Sequence, residues 1–446
     1  MSEPGGSADP VAVAPARAIG IGGAILIAGN GMVGSGIFSL PGKLDAAVGM
    51  FAPVLLLLAG LGFICIALSY ADCARHFTTS GGPILYVGTA FGGFAGFIIG
   101  WLNYISRAAA QAANSNVVVL TAIALFPVTG GQFGKPIIIV LLIGALTLLN
   151  VIGVRKALAA LAGITTLKLM PLVILAVASL AVFGVGAAPV VPPAPDVAAV
   201  ALVALYAFSG FEVGSIAAGE TANPRRALPI ALVGTVAVVG LLYVLVQWAY
   251  SASGTANSDA PLVALAVRLG GAAAGFAIGL AVLVSVVGGI TVAILGGSRM
   301  TVGMAEEGML PARFASFSPR FATPLFSILF FGVFALLLAL SGGFVFLAVV
   351  STLARLLSYF ACILAAPRLD RIFEARRGLS RRLLFPGIAA ALCLGGASQS
   401  KAVEWRTLAL LVGAGAMLYW VANGRRGRQT RWRRRLEEDA DDLAIH

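Results

Sequence analysis

Gly29-Asn30-Gly31-Met32-Val33-Gly34-Ser35-Gly36 interrupts an apolar run that extends from residue 18 to residue 41. Ser209-Gly210-Phe211-Glu212 interrupts a second run, from 197 to 222. Glycine costs a helix interior about 1 kcal/mol relative to alanine, so each run reads as a helix broken near its middle. Glycine is also common where membrane helices pack closely, so what gives the two breaks meaning is their place in the chain.

The sequence has 446 residues, 59% of them hydrophobic and 11% charged. Soluble domains carry about 25% charged residues, so an ordinary cytosolic enzyme is excluded and an all-α polytopic membrane protein remains. A bilayer span takes roughly 20 apolar residues. Runs of that kind, bounded by charges or Pro/Gly, fall at 18–41, 50–74, 94–126, 136–153, 158–184, 197–222, 228–250, 272–304, 324–341, 343–366, 384–398 and 405–422. That pattern predicts twelve transmembrane helices. The first break lies in span 1 and the second in span 6, each the first helix of a set of five. Five is odd, so the two sets run through the membrane in opposite directions. The expected organisation is therefore a 5+5 inverted repeat, residues 18–184 and 197–366, with broken helices 1 and 6. Two C-terminal helices follow in 384–422, flanked by a disordered cytoplasmic N-terminus (1–17) and a charged cytoplasmic tail (423–446). Half-helix ends and freed backbone groups at such breaks form substrate sites at the bilayer midplane of transporters.

The charges fix an orientation. With the N-terminus inside, Lys43, Lys135, Arg268, Lys401 and Arg406 fall on outer loops, and Arg107, Lys168 and Arg355 fall within spans. The other 22 of the 30 Lys and Arg residues lie on the inner side, as the positive-inside rule requires. The clusters from Arg376 to Arg382 and from Arg425 to Arg435 account for much of the net charge of +12. Just beyond apolar segments, such clusters read as contacts to anionic membrane lipids in preference to nucleic acid. Residues 1–16 lack a basic n-region, so the first span is expected to stay in the cytoplasmic membrane. Catalysis is poorly provided for. Two histidines and four scattered cysteines supply no metal-ligand spacing, no CxxC pair and no expected cofactor.

At these residues the sequence resembles the amino acid–polyamine–organocation permeases, which have the leucine-transporter-like fold. Gly34-Ser35-Gly36-Ile37-Phe38 with Leu40-Pro41-Gly42 resembles the family's broken first helix. Tyr70-Ala71-Asp72 with Ser80-Gly81-Gly82-Pro83 and Tyr86 is similar to its helix 2–3 loop, with Asp72 where Glu is more usual. Phe208-Ser209-Gly210-Phe211-Glu212, then Glu220 and Asn223-Pro224-Arg225-Arg226, is similar to the helix 6–7 region. Gly297-Ser298-Arg299 leading to Glu307-Gly308-Met309-Leu310-Pro311 resembles helices 8–9, and Ala366-Pro367-Arg368-Leu369 the end of helix 10. The likeness covers roughly residues 18–370, and the order of the motifs is its specific feature.

The resemblance implies a secondary active transporter of amino acids or related small amines, working by alternating access. It also implies that the amides of Gly34, Ser35 and Gly36 hold the substrate carboxylate, which agrees with the preference of a helix N-terminus for anions. Carbonyls before the second break, with Ser209 and Gly210, would take the ammonium group. Tyr206 matches the family's closing aromatic best, Phe208 second; packing is the alternative role for either ring. Lys168, about 16 Å into span 5 at 1.5 Å per residue, matches a lysine that stands where sodium-coupled relatives hold an ion. Transport is then expected to be proton-coupled and sodium-independent, with Lys168 the proton-linked group or else a permanently paired structural lysine. An exchanger without ion coupling is the alternative.

Arg107, about 20 Å into span 3, shares a polar stripe with Asn103, Gln111 and Asn114 at helical spacing. A stripe of this kind faces a cavity or another polar element, and the resemblance makes helix 3 pocket-lining. Arg107 has two readings, contact with substrate or pairing with Glu212, which itself is a gating or proton-linked candidate in the second break. Counting Arg107 and Lys168 against Glu212 gives a neutral or positive pocket, which favours neutral or acidic amino acids over cationic ones. A major-facilitator carrier is disfavoured because 75–82 lacks that family's loop pattern, and a membrane enzyme because no span holds a catalytic constellation.

Overall fold

The computed structural model describes residues 20–77, 81–131, 133–153, 161–216, 221, 223–374, 378 and 383–423. The expected N-terminal segment 1–17 and most of the charged tail, including the cluster from Arg425 onward, lie outside them. Every regular element of span length among the described residues is a helix. In chain order these are α1 (Ile21–Met32), α2 (Ser35–Val48), α3 (Ala52–Ala74), α4 (Pro83–Phe91), α5 (Gly93–Leu125), α6 (Gly134–Ile152), α7 (Leu161–Phe183) and α8 (Ala194–Phe208). The short α9 (Val213–Ile216) is followed by α10 (Pro224–Ser253), α11 (Pro261–Glu306), α12 (Leu325–Ser341), α13 (Phe344–Ile372), α14 (Phe385–Ser398) and α15 (Ala402–Asn423).

Eight apolar segments among the described residues are long enough to cross a membrane, and four shorter apolar helices accompany them. Each of the twelve expected spans is met by helix, α1 with α2 forming span 1 and α8 with α9 forming span 6. Proline sits in the first turn of α3, α4, α8, α10, α11 and α14, where its missing N–H costs no helical hydrogen bond. Large apolar side chains point outward along the bundle, among them Leu58, Leu141, Ile174, Leu241, Leu337 and Leu410. Such a surface suits hydrocarbon and would be an aggregation hazard in water.

Three elements depart from the expected boundaries. Span 1 continues past Pro41 and Gly42 to Val48; Gln247 Nε2 donates to the Pro41 carbonyl (3.2 Å), and a Cβ on Gly42 would stand 2.9 Å from the Ser258 carbonyl. The segment expected as the helix 2–3 loop contains α4, too short to register as a span, whose buried Tyr86 packs on Tyr70 and Phe77. Span 8 was expected from 272, and the helix indeed breaks at Gly270 and Gly271 (φ +73°), but another helical stretch from Pro261 precedes the break.

Packing puts α5 at the centre, against α11 and α13, while α3 packs along α10. The two broken helices lie together: α2 packs on α8 and α1 on α9.

Candidate functional site

The first break consists of Val33 (φ −77°, ψ 88°) and Gly34 (φ −126°, ψ −151°), between α1 and α2. The second runs from Ser209 to Glu212, with Gly210 at φ +113°. The breaks touch through bare backbone. A Cβ on Gly31 would stand 2.6 Å from the Gly210 carbonyl oxygen, and one on Gly210 would collide with the Gly31 carbonyl. Only glycine permits this approach at both positions, and the positive φ independently favours glycine at 210.

Side chains then tie the breaks together. The Ser35 and Tyr206 hydroxyls are 2.7 Å apart, and Ser209 Oγ donates to the Tyr206 carbonyl (2.7 Å). Gly34 N–H donates to the Met32 carbonyl (3.0 Å), which also accepts from Tyr243 (2.9 Å). Ser35 N–H donates to Asn114 Oδ1 at 2.9 Å. The carboxamide oxygen of Asn114 thus occupies the N-terminus of α2, where an anionic acceptor would be favoured.

Between the breaks is a small cavity of about 50 Å³. The first break contributes Gly31, Met32, Gly34, Ser35 and Gly36; α5 contributes Ala110 and Asn114; Tyr206, Ser209 and Arg355 complete the wall. Five expected site residues, Gly34, Ser35, Gly36, Tyr206 and Ser209, therefore meet at one cavity. Phe208 does not. Its ring is fully buried against Phe63 (5.5 Å) and Tyr243 (6.0 Å), over Gly60 and Gly240. Helix positions i and i+2 are about 200° apart, so Tyr206 and Phe208 cannot both face the cavity.

Glu212 is buried behind the second break. Its Oε2 accepts from Gly210 N–H (3.0 Å) and from the Tyr359 hydroxyl (2.7 Å), and Oε1 lies 3.3 Å from Arg355 Nη1. Arg355 Nε donates to Ser106 Oγ, and Ser351 joins by donating to the Ser106 carbonyl (2.9 Å). Aromatic rings of Phe63, Tyr70, Phe211 and Tyr359 pack around the Tyr359 side of this network. The partner of Glu212 is thus Arg355, on α13, and not Arg107. Arg355 is also the cavity-lining residue that sequence reasoning left out of the site: it stood out only as a charge within a span.

Arg107 and Gln111 are not in the cavity wall, although Ala110 between them is. The Arg107 guanidinium lies on the bare backbone of Gly296, where a Cβ would be 2.9 Å from Nη1. Gln111 is buried, and neither end of its amide has a hydrogen-bond partner among the described residues. Lys168 belongs to α7, but its side chain lies outside the described residues. Among the described residues no three His, Cys, Asp or Glu side chains come together as metal ligands, and the four cysteines are buried thiols outside any disulfide.

Residues 19–395 match the family model described as amino acid permease. The methylthioribose transporter of Bacillus subtilis (strain 168) is 24% identical over 424 residues, covering 87% of this chain and 90% of its own. The branched-chain amino acid permease of the same organism is 27% identical over 415 residues, covering 85% and 87%. The chloroplastic cationic amino acid transporter 9 of Arabidopsis thaliana is 27% identical over 331 residues, 68% of this chain and 58% of that one. The family model spans most of the chain and its broken-helix cavity alike: this is a multi-pass membrane transporter, not an enzyme, and it belongs to the amino acid permease family.

Proposed function

We propose that the chain carries amino acids or related small amines across the cytoplasmic membrane by alternating access, coupled to protons and independent of sodium. The observation that carries this reading is the cavity between two helix breaks, with the α2 N-terminus on one side and the Ser209 break on the other. The substrate carboxylate takes the place of the Asn114 oxygen at Ser35, beside the Gly34 and Gly36 backbone. The ammonium group faces the second break, and Tyr206 closes over it.

Helix packing supports an inverted repeat of residues 18–184 and 197–366. Equivalent helices of the two halves touch, α3 with α10, α5 with α11 and α6 with α12, and the broken helices meet reciprocally, α1 on α9 and α2 on α8. Other contacts come in reciprocal pairs, α7 on α10 with α13 on α3, and α7 on α11 with α13 on α5. Reciprocity of this kind is what a two-fold relation produces. Helices α14 and α15 (within 384–422) fall outside the repeat, and α14 packs on α3 and α13.

With both termini cytoplasmic, the α2 side is the outer side. There α2 packs on α8, α10 and α11, and Lys43 Nζ lies 2.8 Å from Asp259 Oδ1. On the inner side α1 packs on α10, α9 and α7. The outer path is closed in this state and the cavity is read as opening inward, one half of an alternating-access cycle. The basic inner segments meet anionic lipid head groups.

Lys168, about 16 Å into span 5 by sequence, supplies the cation at the place of a coupling ion and exchanges the proton, since a low-dielectric span disfavours a charged lysine. In sealed proteoliposomes an inward proton gradient is therefore expected to drive accumulation equally well in sodium and in choline medium. Lys168→Ala is expected to lose the accumulation. A rate that falls more than about tenfold in choline would make sodium the coupling ion. An exchanger is the second reading; it would show uptake only into vesicles preloaded with amino acid.

A further inference from the structure

Glu212 is fully engaged, yet the positive charges around it are not. Arg355 lines the cavity and has five N–H donors; its Nε goes to Ser106 and one Nη1 faces Glu212. Arg107, on the facing side of α5, has no ion pair among the described residues, and its guanidinium lies over Gly296. It sits one turn from Ala110, which is in the cavity wall, and on the same helical face. Next to Ala110, also one turn from Arg107, is the buried Gln111 amide, without partners among the described residues. The Arg355–Glu212 pair thus stands at one end of the cavity with a second guanidinium, Arg107, behind the wall, while the α2 N-terminus forms the other anion-favouring end.

We infer that the Arg355 end of this cavity, backed by the Arg107 charge one turn from the wall residue Ala110, is a subsite for a second anionic group, so that the preferred cargo is an amino acid with an acidic side chain. The inference rests on the amino acid transport reading and narrows it. A carboxylate here completes the charge balance of an Arg–Glu–Arg set and matches the planar donor fork of arginine. A neutral carboxamide of the same shape offers half the acceptors and no charge. A cationic side chain meets like charge.

Purified full-length protein, titrated with glutamate, glutamine, aspartate and asparagine while its thermal unfolding midpoint is followed, tests this directly. Each acid and its amide differ by one charge at nearly constant shape. The acid is expected to bind at least about tenfold more tightly than its amide, a discounted share of what a close ion pair gives in a low-dielectric site. Arg107→Gln is expected to reduce that ratio to below about threefold, and Arg107→Lys, which keeps the charge but not the planar fork, to give a ratio between the two. Arg107 is the residue to change because removing Arg355 would leave Glu212 buried alone. Acid and amide binding equally to the unaltered protein, or an acid preference unmoved by Arg107→Gln, would overturn the subsite and leave the transport reading standing. No stabilisation by any amino acid would overturn both.

Discussion

Glu212→Ala is expected to give a protein that no longer transports and that unfolds well below the parent. The carboxylate accepts from Gly210 N–H and Tyr359 and pairs with Arg355. Truncation leaves a buried guanidinium without its counter-charge, which costs about 3–5 kcal/mol when one partner of a buried pair is removed. It also frees Gly210, so the second break loses the hydrogen bond that fixes its turn. Replacing both partners removes the uncompensated charge, so Glu212→Gln with Arg355→Gln is expected to recover much of the stability and none of the uptake. Detergent-solubilised thermal unfolding followed by size-exclusion fluorescence measures the first quantity, and vesicle uptake the second. A single Glu212→Ala variant as stable as the parent would mean that the pair is not formed.

Gly210→Ala is the second change with a large effect. Its φ of +113° costs an L-residue roughly 1–2 kcal/mol. The added methyl would run into the Gly31 carbonyl and stand 3.1 Å from Met32 Cα. Backbone cannot yield as a side chain does, and overpacking adds about 1–3 kcal/mol. The breaks would separate, opening the cavity wall at Ser209 and Tyr206. Expression of folded protein and uptake should both fall sharply. Gly413→Ala, in α15, meets nothing within 4 Å and serves as the control, with an expected effect between neutral and slightly stabilising.

The two breaks were legible because they interrupt otherwise continuous apolar runs, and glycine density is a local signal. Gly34, Ser35, Gly36, Tyr206 and Ser209 could be named for the same reason, together with the resemblance that their order supports. The partner of Glu212 could not. Arg355 is far away in the chain on another helix, and no periodicity links two residues that meet only when the bundle closes. Arg107 looked equally suitable from depth alone; the choice is made by which face of α5 and α13 turns toward the second break. Tyr206 and Phe208 present the same difficulty at shorter range, since only helix rotation decides which ring enters the cavity. The helix α4 escaped because a criterion built on bilayer thickness does not register nine residues.

The central claim is that one cavity, between the two breaks, is open to each side of the membrane in turn and holds an amino acid on the way. Ala110 is in its wall and small enough to replace. The most direct measurement is the rate at which Ala110→Cys, in a background with Cys65, Cys73, Cys362 and Cys393 replaced, reacts with a membrane-impermeant maleimide added to either face of oriented vesicles. The account predicts labelling from both faces, slowed from both when a mixture of the common amino acids is present. Labelling from one face only, at a rate no amino acid alters, would contradict it.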